Sequence, residues 1–125
     1  MDKKYTFQNL LAYQKSVDLA MQIFDITSVF PKEEKYALTD QIRRSSRSVS
    51  ANIAESYAKR LYPKHFINKL TDSDGENLET QSWLEFSFKC KYIDEAIYGK
   101  LLAQSKEVGK LIFYMINNPE KFGSK

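Results

Sequence analysis

Residues 38–60 read LTDQIRRSSRSVSANIAESYAKR, and within them Leu38, Ile42, Ser45, Val49, Ile53 and Tyr57 recur at three- and four-residue spacing. That period belongs to one face of an α-helix and not to the alternation of a strand. Thr39 is placed as the N-cap, with Asp40 and Gln41 in the first turn, so a helix is predicted over about residues 39–60. Its small residues are numerous: Ser45, Ser46, Ser48, Ser50, Ala51, Ala54, Ser56 and Ala58. Serine is a mediocre helix former, so close approach of a second helix is the reason to expect so many, with Ser46 and Ala54 at the contact. Gln41, Asn52 and Glu55, joined by Glu79 from the next helix, are polar groups that need partners if buried. A structural hydrogen-bond network is preferred for them over catalysis.

Working outward, Leu10, Tyr13, Val17, Ala20 and Phe24, with a second row through Met21, predict a helix over about residues 8–29 that Phe30-Pro31 ends. Pro63 suits the first turn of a third helix, carried by Phe66, Ile67, Leu70, Leu78, Trp83, Leu84, Phe86 and Phe88 to about residue 93. Thr71-Asp72-Ser73-Asp74-Gly75 is expected to kink it, because Gly and Asp are poor in a helix interior. Asp94 caps a fourth helix with Ile97, Leu101, Val108, Leu111, Ile112 and Met115 on its core face, ending at Asn117-Asn118-Pro119. Long helices with short connections make the chain an all-α, antiparallel up-down four-helix bundle, a single domain over residues 1–125.

Composition agrees with that reading. Only 4 Gly and 3 Pro among 125 residues leave few turns for a multi-stranded sheet. Met1-Asp2-Lys3-Lys4-Tyr5 opens without an apolar leader core, and no apolar run approaches the roughly 18 residues of a membrane span, so no membrane association and a cytoplasmic location are expected. Cys90 is the single cysteine, so it has no intrachain disulfide partner; it reads as a helix-packing thiol. Aromatic residues reach 14%, and Tyr5, Tyr36, Tyr57, Tyr62, Tyr98 and Tyr114 exceed what so small a bundle buries, which points to association between subunits.

Charge is unevenly spread. Residues 41–70 carry Arg43, Arg44, Arg47, Lys59, Arg60, Lys64 and Lys69 against Glu55 alone, whereas residues 71–96 carry seven acids against Lys89 and Lys91. Either the first segment is a basic face for phosphates, or the two segments complement each other inside the bundle.

Motifs for chemistry are few. Asp72 and Asp74 begin like a calcium loop, but Asn77 and Trp83 stand where that loop needs Gly and Glu. A bundle di-metal site needs two Glu-x-x-His pairs, and the chain has one histidine, so Glu55, Glu76 and Glu79 are expected to neutralise Arg43 or Arg44 instead. No cofactor or metal is expected, and no catalytic residue is assigned. Arg60 and His65 are similar to the Arg-x4-His motif of the HEPN ribonucleases, in which the arginine would steady phosphate and the imidazole would act as acid or base. Pro63 puts that pair across a helix boundary.

Phe30-Pro31, then Leu38-Thr39-x-Gln41-Ile42-Arg43-Arg44-Ser45, then Ser48-Val49-x-Ala51-Asn52-Ile53-Ala54-Glu55 closely resemble the four-helix-bundle proteins encoded by intervening sequences of bacterial 23S ribosomal RNA genes. Phe7-x-x-Leu10-x-Ala12-Tyr13-Gln14-Lys15 looks like the family's opening motif and Glu79-Thr80-Gln81 like its third-helix motif. Asp74-Gly75-Glu76 departs from the family's Gly-Ser before the third-helix glutamate. The resemblance implies a ring-like homopentamer, kinship with the accessory protein of diversity-generating retroelements, which binds nucleic acid through basic surface, and no enzymatic activity. The expectation is therefore a non-enzymatic homo-oligomer that contacts RNA or DNA through Arg43, Arg44, Arg47, Lys59, Arg60 and Lys64. The Arg60–His65 ribonuclease and a protein-binding scaffold are the alternatives.

Overall fold

The computed structural model describes residues 5–125; the Met1–Lys4 lead lies outside the described residues. Four helices, α1 (Leu11–Thr27), α2 (Leu38–Ala58), α3 (Pro63–Lys89) and α4 (Glu95–Asn117), are joined by short segments that hold 3₁₀ turns. Consecutive helices run in opposite directions. Thr27 meets Arg43 at one end of the α1–α2 pair, Ser16 meets Ser50 at its middle, and Tyr5 meets Tyr57 at the other end. On α2 and α3, Glu55 pairs with Lys69, Val49 with Ser73 and Ser45 with Thr80. Asn77 with Ser105 and Phe88 with Tyr98 close α3 on α4 in the same sense.

Two apolar clusters fill the bundle. One gathers Leu10, Val49, Ile53, Phe66, Leu70, Ile112 and Met115; the other gathers Leu19, Ile23, Ile42, Leu84, Ile93 and Leu101. Burying each such side chain contributes about 1.5–3 kcal/mol. Polar contacts link the helices between the clusters. Ser16 and Ser50 share a hydrogen bond of 2.8 Å, Ser45 and Thr80 another of 2.8 Å, and Ser73 Oγ donates to the Val49 carbonyl at 2.8 Å. A serine of α3 reaches backbone of α2 only if the two helices lie close, which is the use of the small residues in α2. Ser46 is buried at such a contact, while Ala54 is only half-buried.

Several local expectations need correction. The first helix begins later than residue 8: Thr6 caps a 3₁₀ turn over Phe7–Asn9, with Gln8 N donating to Thr6 Oγ1 at 3.2 Å, and the extended backbone of Leu10 separates it from α1. Thr39 is no N-cap. The helix starts at Leu38, and its N-cap, two residues before Thr39, is Ala37, whose side chain cannot cap; Leu38 is drawn into the core and Glu34 Oε1 accepts from its amide at 3.4 Å. The 71–75 stretch does not interrupt α3. Thr71, Asp72 and Gly75 face solvent, Ser73 is anchored on Val49, and the buried Leu70 and Asn77 hold the helix on either side, which offsets the poor propensity. The helix ends at Lys89, before the expected residue 93, in a Schellman motif: Tyr92 N donates to Ser87 O and Lys91 N to Phe88 O, both at 2.9 Å, with Lys91 left-handed at φ 64°. Cys90 is exposed at that end and packs in no core. Asp94 caps α4 as expected, accepting from Ile97 N at 2.8 Å. Among the described residues no helix is long and apolar enough to cross a membrane.

Candidate nucleic-acid interface

The six cations proposed for phosphate contact divide into two groups. Arg43 is turned toward α1: its Nε donates to Thr27 Oγ1 at 2.7 Å, its Nη2 to the Phe24 carbonyl at 3.1 Å, and its guanidinium lies 4.4 Å from the centre of the Phe24 ring. A helix leaves its last carbonyls unpaired, so Arg43 serves as a C-terminal cap of α1 supplied by α2. Arg44 is turned toward α3. It contacts Glu76 at 3.1 Å and Glu79 at 2.5 Å, and its Nε donates to Gln41 Oε1 at 3.3 Å. Hydrogen bonds to Glu76 and then Glu79 raise its pKa above the ordinary value. Trp83 Nε1 donates to Glu79 at 3.0 Å, and this bond, followed by the Arg44 contact, holds the Glu79 carboxyl below the usual glutamate range against the opposing effect of burial. Arg60 folds back on its own helix end, its Nε donating to Tyr57 O at 2.7 Å and its guanidinium 3.6 Å from the centre of the Tyr57 ring.

Arg47, Lys59 and Lys64 form the second group. None has an acidic partner among the described residues. Arg47 and Lys64 are exposed and Lys59 is half-buried at the C-terminal end of α2. Lys64 sits in the first turn of α3 without an acidic residue beside it, where the helix dipole disfavours a cation. Nearby Leu61 and Tyr62 are exposed, and Tyr62 meets His65 edge to face at 6.0 Å between ring centres. Along α2, Arg47 stands about 18 Å from Lys59 at the helical rise, so Lys59 and Lys64 share the basic, aromatic α2–α3 corner and Arg47 lies about three turns before it.

The polar network contains only part of what was expected. Gln41 and Glu79 belong to it through Arg44, together with Glu76 and Trp83. Asn52 and Glu55 do not: Asn52 donates only to Ser48 O, and Glu55 pairs with Lys69 at 3.0 Å instead of with Arg43 or Arg44. Those two stand on the later part of α2, about two to three turns past Arg44. A second network, unforeseen, joins Asn77, Ser105 and Gln81 in the α3–α4 contact at 2.9–3.0 Å. Its signal was present: Leu70, Asn77 and Leu84 recur every seven residues, so a polar residue was due on the core face. Among the described residues no three His, Cys, Asp or Glu side chains converge as metal ligands.

No curated protein matches the chain. A crystal structure of a protein with unknown function from the S23 ribosomal protein family, from Bacteroides thetaiotaomicron VPI-5482, is similar at 31% identity and a TM-score of 0.78, covering 86% of this chain and 96% of that one. The model of the 23S rRNA-intervening sequence proteins matches residues 8–114. That match over most of its length establishes that this chain, with its four helices, belongs to the 23S rRNA-intervening sequence protein family.

Proposed function

We propose that the protein is a non-enzymatic homo-oligomer that holds nucleic acid by its phosphates, through Arg47, Lys59 and Lys64. The observation that carries this reading is the division of the cations: Arg43, Arg44 and Arg60 spend hydrogen bonds within the chain, whereas Arg47, Lys59 and Lys64 donate none from their side chains among the described residues, Arg47 resting only 5.5 Å from the centre of the Phe24 ring. Contacts to phosphate need positive charge and reach but no base-specific geometry. Support for a non-enzymatic role comes from Arg60, whose guanidinium is committed to Tyr57, and from His65, which has no hydrogen bond to orient its ring among the described residues.

The test is affinity for a generic RNA or DNA as salt rises. Each neutralised phosphate releases counterion, so log affinity falls linearly with log salt, and replacing Arg47, Lys59 and Lys64 by Ala flattens the slope by about 0.7–0.9 per lost contact while the thermal midpoint stays put. Binding unchanged in the triple variant, or absent from the parent at about 50 mM salt, would overturn the reading and put the protein scaffold first. RNA recovered from the titration is expected intact; metal-independent cleavage that His65→Ala abolishes would favour the ribonuclease.

A further inference from the structure

The start of α2 leaves its polar groups unmet. Ala37 stands at the N-cap without a capping side chain, and the amides of Thr39 and Asp40 find no acceptor among the described residues. Thr39 is 8% exposed, and its buried hydroxyl has no hydrogen-bond partner among the described residues. Leaving a buried hydroxyl unpaired is unfavourable, and native structures seldom do so without a ligand, ion or water to complete it. Thr39 lines a cavity of about 230 Å³ at the junction of α1 and α2, whose wall also includes Lys32, Lys35, Arg43, Phe30 and Pro31. Three cations and no carboxylate line it. Both lysines are exposed and have no acidic partner among the described residues; the Lys35 ammonium rests 5.3 Å from the centre of the exposed Tyr36 ring, a contact that a bound anion can displace. Arg43 is held rigid by Thr27 and by the Phe24 carbonyl, and its Nη1 has no partner among the described residues.

The nearby acids do not fill the cavity. Glu34 is turned to the amide of Leu38 and to the hydroxyl of Tyr92, which donates to it at 2.8 Å; Glu33 and Asp40 are exposed. From the lone hydroxyl, the uncapped helix start and the three cations, we propose that this cavity binds a phosphate dianion, either free or as the head of a phosphomonoester. A dianion gains more from a wall that carries three cations than the singly charged diester of a nucleic-acid backbone, and helix starts with free amides suit anions. The site is independent of Arg47, Lys59 and Lys64, because it uses none of those residues.

Thermal unfolding of the full chain, with inorganic phosphate or a nucleoside monophosphate titrated against chloride at matched ionic strength, tests this. A ligand that binds only the folded state raises the midpoint in a saturable way. Both ligands raising it marks a phosphomonoester site, and inorganic phosphate alone raising it marks a free-phosphate site. Lys32→Gln with Lys35→Gln should weaken the apparent affinity about tenfold or more, since charge-assisted hydrogen bonds carry the binding. Thr39→Val keeps the shape and removes the hydroxyl, so its midpoint without phosphate should equal or exceed the parent's while the response to phosphate shrinks. No rise beyond chloride with either ligand, or a rise that the double lysine variant retains in full, overturns the proposal. Because those variants leave Arg47, Lys59 and Lys64 intact, nucleic-acid binding should survive in them, which separates the two sites.

Discussion

Asp74 lies half-buried on α3 without an ion pair or hydrogen bond to its carboxyl among the described residues, and burial raises its pKa above the ordinary 3.8. A carboxyl whose folded pKa is raised favours the fold below its unfolded pKa, and that advantage is lost as pH climbs through the folded value. Asp74→Asn is therefore expected to be more stable than the parent at pH 7 and no more stable near pH 3, measured by urea midpoints at both. Equal gains at both pH values would mean that charge is not the cause. Glu79 has the opposite sign: held down by Trp83 and Arg44, it stabilises above the ordinary glutamate value and loses that contribution on acidification. Which glutamate would meet which arginine was only half legible. Pairing Glu76 and Glu79 with Arg44 follows from antiparallel neighbours of opposite charge, but Glu55 went to Lys69 because those residues share a level of the α2–α3 pair.

On the scale of the element, glycine and left-handed backbone decide several small energies. Gly75 and Gly99 are in helices, and a Cβ at either meets nothing within 4 Å. Gly75→Ala and Gly99→Ala should each stabilise by about 0.5–1 kcal/mol, the cost of glycine's backbone freedom in a helix, and should add, since they lie on different helices. Lys91, in the left-handed position after α3, invites the reverse change, and Lys91→Gly should gain about 1 kcal/mol by relieving a side chain there. Gly109→Ala is the contrast, because its Cβ would stand 3.3 Å from Asn77 Nδ2, which donates to Ser105 O. It should gain less than Gly75→Ala or lose stability. Thermal midpoints of the four variants check the set; equal gains at Gly75 and Gly109 would show that the α3–α4 contact is looser than described. The end of α4 and the Asp94 cap were readable because caps are local. The supposed kink was not, because Ser73 and Asn77 find partners on α2 and α4 that no local propensity registers.

At the scale of the whole molecule, α3 turns a mixed face inward, with Phe66, Leu70 and Leu84 in the apolar clusters and polar residues between them. Ser73, Asn77, Thr80 and Ser87 are buried, whereas Leu78 and Phe86 are 57% and 53% exposed. Tyr5, Tyr36, Tyr62 and Tyr114 are exposed as well, while Tyr57 and Tyr98 are half-buried against Tyr5 and Phe88. Large apolar side chains left outward on α3 are what a second subunit would cover, in keeping with the proposed homo-oligomer. Light scattering at micromolar concentration should give several times the monomer mass, and Leu78→Glu with Phe86→Glu should reduce it to the monomer with little loss of helix by circular dichroism. A parent that is already monomeric sinks the assembly. By itself, the sequence determined the number, order and approximate span of the helices, the cap of the fourth and the need for a close contact along the second, because spacing, caps and residue size act within a few turns of chain. Only the tertiary structure decided which face of α3 turns inward, which arginines are spent inside the bundle and which cations remain outside, and that the hydroxyl of Thr39 ends unpaired beside Lys32, Lys35 and Arg43. Those outcomes depend on the register between helices, which a periodic pattern of mixed serine and leucine leaves open and the packing of side chain on backbone resolves.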